Sequence, residues 1–210
     1  MSISETSILN MALGRLGAKR ISDFDDVSED SAQTIQCRLH YEQTRDALLR
    51  SHWWRFARGR KQLSANATDP DFEYEYAYDL PNDFLRLWIK PFEDNNIGLH
   101  NSRYTFSMEG KQLLTDESPL YLRYIKKITD VTVFDPLFVE VLVLQLALKM
   151  CMPLSQDKGL YQMLYQEMRD ILNRVRTMDK QETNNIGYND RGTWNSARQV
   201  NGGDPARSYS

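Results

Sequence analysis

The chain has 210 residues, with 26 basic and 29 acidic side chains and a formal charge of −3. That length fits one domain, or one domain with an insertion, and lets roughly 70% of the unfolded surface be buried without disulfide staples. The charge balance excludes a strongly cationic nucleic-acid coat or a polybasic membrane binder. The two cysteines, Cys37 and Cys151, form no Cys-x-x-Cys, which excludes a zinc ribbon or thioredoxin-type site.

The N-terminus, MSISETSILN, has no basic stretch followed by an apolar run, so no secretory signal is expected and the thiols are expected reduced. Ser2 and Glu5 have capping-box spacing and start the first expected helix. Ile8, Leu9, Ala12, Leu13 and Leu16 give its apolar face, and Gly17 suits the position just past its end. An acidic linker follows. Ser28 is expected to cap the second helix, with Glu29 and Asp30 beside its positive end. Ala32, Ile35, Leu39, Leu48, Leu49, His52 and Trp53 form its uneven apolar face.

The middle third changes period. WRFARGRKQL alternates in strand fashion from Trp54. YEYAYDL, LRLWIK, RYTFSM, KQLLT and LYLRYIKKI are short aromatic or branched runs separated by turn residues. They predict a small antiparallel sheet of meandering hairpins. Helices return with Asp135 as cap and Pro136 at the first helical position. Leu137 to Met152, stopped by Pro153, reads as the buried central helix and is too short and too charged to span a bilayer. Ser155 is expected to start the last helix, whose face is Leu160, Leu164, Met168, Ile171, Leu172 and Val175.

The order of elements predicts an α+β fold: a four-helix bundle with a small inserted antiparallel β-domain and an extended C-terminal arm. The bundle takes residues 1–56 and 130–178, the β-domain 57–129 and the arm 179–210. Ordering the 32 residues of the arm costs on the order of 30–60 kcal/mol. Its five large apolar groups, Ile186, Tyr188, Trp194, Val200 and Tyr209, are each worth ~1.5–3 kcal/mol when buried and cannot offset that alone. A neighbouring subunit that clamps the arm would supply the remainder.

No phosphate-loop, dinucleotide, nucleophile-elbow or His-Glu-x-x-His fingerprint occurs, so no catalytic residue, metal or cofactor is assigned. His40, His52 and His100 read as structural, and the cysteines as small core residues. The acidic cluster Asp23, Asp25, Asp26, Glu29 and Asp30 lacks the glycine and terminal glutamate of a calcium loop. A second group, Asp69, Asp71, Glu73, Glu75 and Asp79, alternates with Phe72, Tyr74, Tyr76 and Tyr78, as on a strand with one aromatic and one charged face. The one basic, aromatic run carries Arg50, Arg55, Arg58, Arg60 and Lys61 beside Trp53, Trp54 and Phe56. It reads either as a DNA-facing patch with stacking platforms or as core aromatics with outward arginines. Strand alternation would put aromatics and arginines on different faces, which favours the second reading.

Three segments carry a resemblance. LLRSHWWRFARGRKQL resembles the W-x-F-A-x-x-R-x-x-L segment of the head-to-tail adaptors of short-tailed phages, the tail tubular protein A family. YAYDLPNDFLRLW resembles their Y-x-Y-x-LP-x-D-x-LR segment. YIKKITDVTVFDPLFVEVLVLQLALKM resembles the block after their sheet, where an aspartate leads into an apolar helix. The likeness covers roughly residues 3–178 in element order. It implies a non-enzymatic connector of a podovirus virion, made in the host cytoplasm and resident in the tail or neck. Such a connector forms a dodecameric ring below the portal protein and continues the DNA channel used in genome ejection, without sequence-specific DNA binding. It holds a tail nozzle of the tail tubular protein B kind and tail fibres or spikes, and its C-terminal arm docks on the portal. No membrane partner and no cofactor are implied. The rival expectation is a nucleic-acid-binding module built on residues 50–61.

Overall fold

The first helix, α1 (Glu5–Arg15), begins where two serines satisfy each other's backbone donors. The Ser7 N–H donates to Ser4 Oγ at 3.1 Å, and the Ser4 N–H donates to Ser7 Oγ at 3.0 Å. The cap therefore lies two residues beyond the expected Ser2, because Ser4 and Ser7 offer the same spacing. Its end is as expected: Gly17 has φ +65°, and the Ala18 and Gly17 N–H groups return to the Leu13 and Gly14 carbonyls. The Asn10 amide then straps the linker down through both backbone groups of Ile21.

This computed structural model describes residues 3–26, 28, 30–88 and 105–184, without the side chains of 176 and 178–184. Two units divide the chain, Met1–Leu172 and Asn173–Ser210. Of the second, only the helical residues up to 184 are described.

Ser31, not Ser28, caps α2 (Ala32–Ser51), accepting from the Thr34 N–H at 3.2 Å. Ser28 is held instead by the Asp26 carboxylate. The buried face of α2 is only partly the expected one: Leu48 and Leu49 are buried as expected, but Thr34, Cys37, Tyr41, Thr44 and Arg45 join them, while Ile35 and Leu39 are exposed. The threonines bond locally, Thr34 with the Ser31 hydroxyl and Thr44 to the His40 carbonyl. Buried Arg45 meets Asp46 at 2.9 Å and Glu5 at 3.9 Å, and lies over the Tyr41 ring.

After α2 the chain makes a 3-10 turn, Arg55–Ala57, before β1 (Arg58–Leu63). Extended structure thus starts four residues later than the alternation from Trp54 suggested. The remaining strands are β2 (Tyr76–Asp79), β3 (Phe84–Leu87), β4 (Phe106–Glu109), β5 (Gln112–Thr115) and β6 (Leu120–Lys126). They form two antiparallel three-stranded sheets, β1-β6-β3 and β2-β5-β4, where one meander was expected. Among the described residues only β4 and β5 pair as a tight hairpin, through Gly110 at φ +58°. Short strands with one apolar face are stabilised by facing a second sheet. One buried cluster accordingly draws Leu63, Leu87, Leu120, Leu122 and Tyr124 from the first sheet and Tyr78 and Leu113 from the second.

The third helix, α3 (Pro136–Leu154), has the expected start: the Asp135 carboxylate accepts from the Leu137 N–H at 2.8 Å, with Pro136 in the first turn. Pro153 lies inside its last turn rather than stopping it. By length and composition α3 is long and apolar enough to cross a membrane, contrary to expectation. Its burial gives the apolar character another use: Phe138, Leu142, Leu144, Leu146 and Ala147 have no exposed surface, and the helix packs on α1 and α2. Ser155 is its C-cap; Asp157 starts α4 (Lys158–Asn184), accepting from the Gly159 and Leu160 N–H groups. Leu164 and Ile171 of α4 are buried, and Arg15 of α1 pairs with Glu167 at 2.9 Å. Helix α4 continues six residues past the expected end, so 179–184 are helical rather than part of an extended arm; Lys180, Gln181 and Glu182 are good helix formers. The fold is thus mixed α+β, with four helices and two small antiparallel sheets among the described residues.

Candidate functional site

The three segments singled out in the sequence meet where the helices pass into the sheets. Trp54 is buried and donates its indole N–H to the Leu48 carbonyl at 3.0 Å. Its ring and that of half-buried Phe56 stand edge-on to Phe138 of α3, with centroids 5.1 and 5.2 Å away, and Phe134 closes the group at 4.8 Å. From the second segment, Asp83 accepts from the Tyr124 hydroxyl at 3.0 Å, and its carbonyl accepts from the Lys127 N–H. Burial first, and Asp83 second, push the Tyr124 phenol up to about 12. Arg86 reaches back across the junction. Its guanidinium lies 3.9 Å from the Trp53 ring centroid and donates to the Arg50 carbonyl at 3.1 Å, in the last turn of α2. That position suits a cation, because helix C-terminal carbonyls carry partial negative charge. Burial and the neighbouring Arg50 charge pull the Arg86 guanidinium below its ordinary value.

The expected basic run is divided by this geometry. Arg50 lines an open groove of about 740 Å³ with Trp53, Arg86, Phe106, Met108 and Lys111. Among the described lining residues there is no carboxylate. Arg55 is exposed on the 3-10 turn. Arg58 is half-buried, its guanidinium 5.2 Å from the Trp88 ring centroid. Arg60 and Lys61 are exposed on β1 and line a shallow hollow with Tyr121 and Arg123 of β6. Arg60 is the direct register partner of Arg123. Within the run, Trp54 and Phe56 turn to the core while Arg55, Arg60 and Lys61 are exposed; Arg58 and Arg86 lie over tryptophans, Trp88 and Trp53. Arg86, Lys111 and Arg123 escaped the sequence reading because they join the run only through strand pairing and the β4–β5 turn. The arm residues Ile186, Tyr188, Trp194, Val200 and Tyr209 lie outside the described residues.

Other candidates are absorbed by packing. Asp23 and Asp26 accept from backbone N–H groups two residues on, in the turns leading to α2. The second acidic group is not a strand before Tyr76; residues 71–75 bend, with Phe72 exposed. Cys37 is buried, with Met150 Sδ 3.7 Å from its sulfur, and burial pushes its thiol up to about 11, far from nucleophilic poise. His52 stands edge-on to Trp54 at 4.9 Å, and burial followed by the Lys149 charge lowers His40. Among the described residues no group of three or more His, Cys, Asp or Glu is placed to hold a metal.

The class these observations define is an α+β protein with a densely packed helix–sheet junction and a cationic groove at its edge. Comparison with known proteins adds no relative: no family model matches the chain, and no curated protein is significantly similar to it.

Proposed function

We propose that this chain is a structural virion protein: an adaptor ring that joins the portal to the tail nozzle and fibres or spikes and continues the DNA channel. In this reading the helices form a four-helix bundle, the two sheets are an inserted β-domain, and the residues beyond α4 form the arm that docks on the portal. The observation that carries the proposal is the convergence of all three adaptor-like segments on one junction. Trp54 and Phe56 pack against Phe138 of α3, Arg86 ties β3 to the end of α2, and Asp83 binds Tyr124 within the β1-β6-β3 sheet. Such a junction suits a part that must transmit load between neighbours, and it offers no convergent nucleophile, acid and base. The ring would grow by heterologous contacts that close on themselves.

The test is co-sedimentation with the portal protein of the same genome. The full chain is expected to pellet with portal rings, and a chain ending at Asn184 is expected to remain in the supernatant while keeping its melting temperature. Unaltered portal binding by the truncated chain refutes the arm mechanism. Failure of the full chain to bind refutes the adaptor reading.

One observation favours the rival nucleic-acid reading: Arg60 directly opposes Arg123 across two strands, a like-charge pairing that an anion would relieve. That reading predicts oligonucleotide affinity falling steeply with salt, weakened by Arg60→Ala and Arg123→Ala.

A further inference from the structure

The groove beside Arg86 and the loop before β2 are complementary in charge and both offer apolar surface. The groove offers three cations, Arg50, Arg86 and Lys111, around an aromatic and apolar floor of Trp53, Phe106 and Met108. The loop offers the reverse. Phe72 is 75% exposed, more than any other large apolar side chain among the described residues. It is flanked by the exposed acids Asp69, Asp71, Glu73 and Glu75. The loop is built to hold Phe72 out. Its base is fastened where the Glu75 N–H donates to Asp116 Oδ1 at 3.0 Å, and Glu73 holds the left-handed φ of +72° that non-glycine residues seldom adopt. An aromatic side chain so presented, ringed by charge, has the form of an interface anchor.

The two features sit on opposite faces of the β2-β5-β4 sheet. Strand alternation puts Phe106 and Met108 on the face that carries Tyr78 and Leu113. The loop instead shares a hollow with Ala77, Gln112 and Leu114, on the other face. Within one copy the loop therefore cannot fill its own groove, whereas a second copy can present its loop there. A contact between two different patches of the same chain is heterologous, and repeats head to tail.

We propose that Phe72 of one copy seats in the Arg50–Arg86–Lys111 groove of the next, with the flanking acids facing those cations. This deepens the ring reading above and rests on it for its biological role, while the contact itself can be tested without a portal. Replacement of Phe72 by the photoreactive aromatic p-benzoylphenylalanine keeps a ring at the anchor position. Equal amounts of unlabelled and nitrogen-15-labelled full-length protein are mixed at about 1 mM, where a weak contact is populated, and illuminated. Mixed-label cross-links are expected between position 72 and the 106–111 segment. Lys111→Glu should reduce their yield about tenfold, and adding Asp71→Lys should restore it. Both positions are exposed, so a melting curve serves as the folding control. No mixed-label cross-link to the groove, or a yield indifferent to both charge reversals, overturns the proposal. So does a groove that captures an oligonucleotide in a Lys111-dependent manner while the cross-link is unaffected by Lys111→Glu. Portal binding measured in parallel separates the two ideas. Portal binding with cross-links elsewhere overturns this contact alone. Groove cross-links without portal binding support the contact and overturn the adaptor reading.

Discussion

Phe138→Ala probes the junction at its deepest point. Phe138 has no exposed surface, and three rings stand edge-on or tilted around it: Trp54 at 5.1 Å, Phe56 at 5.2 Å and Phe134 at 4.8 Å. Truncating a buried phenylalanine removes its transfer free energy and leaves a cavity, together ~3–5 kcal/mol. That is a large part of a typical ~5–15 kcal/mol total. For a chain of this size each kcal/mol moves the melting temperature by roughly 2–4 °C, so a drop on the order of 10 °C is expected by calorimetry. Phe56 is only half-buried, so Phe56→Ala should cost less than Phe138→Ala. The pair should also be coupled, since an edge-on contact is worth about 0.5–1.5 kcal/mol beyond its buried area. A drop of under about 3 °C for Phe138→Ala, or strict additivity of the two, would refute a tightly packed aromatic junction of this kind.

Three further substitutions test the surrounding structure. A Cβ at Gly59 would lie 2.8 Å from Tyr124 Cζ, so Gly59→Ala should cost ~1–3 kcal/mol in urea denaturation, and less in a Tyr124→Ala background. The Tyr124 phenol is raised to about 12 by burial and by Asp83, so the folded chain holds that proton more tightly than the unfolded chain does. Its contribution is complete below about pH 10 and is lost as pH rises through about 12. The melting-temperature advantage of the wild type over Tyr124→Phe should therefore shrink across that window; a constant advantage would contradict the assignment. Asp157→Ala removes the acceptor of two N–H groups at 2.8 and 3.1 Å and should lower stability by ~0.5–2 kcal/mol, read as a shift in the urea midpoint.

Sequence signals were most informative where one residue type has one local use. Asp135 and Pro136 mark the start of α3, and Gly17 marks the end of α1, because cap geometry and positive φ admit few alternatives. Caps drawn from repeated serines are less legible: Ser2 and Ser4 look alike in the sequence, as do Ser28 and Ser31 until the Asp26 turn of the linker takes Ser28. On α2 the sequence marks Leu48 and Leu49 correctly, but Ile35 and Leu39 look like core and are exposed, whereas Tyr41 and Arg45 are buried beside Glu5 and Asp46. The strands could be found but not their partners. Period-two patterning states which side of a strand is apolar, not that β6 pairs with β1 on one side and β3 on the other. The same gap hid the groove, which exists only once β3, β4 and the end of α2 converge around Arg86. At the C-terminal end, α4 runs on through 179–184 without an apolar stripe because its residue types favour helix.

The central claim is that this chain continues a portal ring. Its most direct test is a negative-stain image of the full-length protein mixed with purified portal of the same genome. The account predicts a second annulus stacked coaxially on one end of the portal, absent when the chain stops at Asn184. Bare portal rings at saturating concentrations of the full-length protein would contradict it.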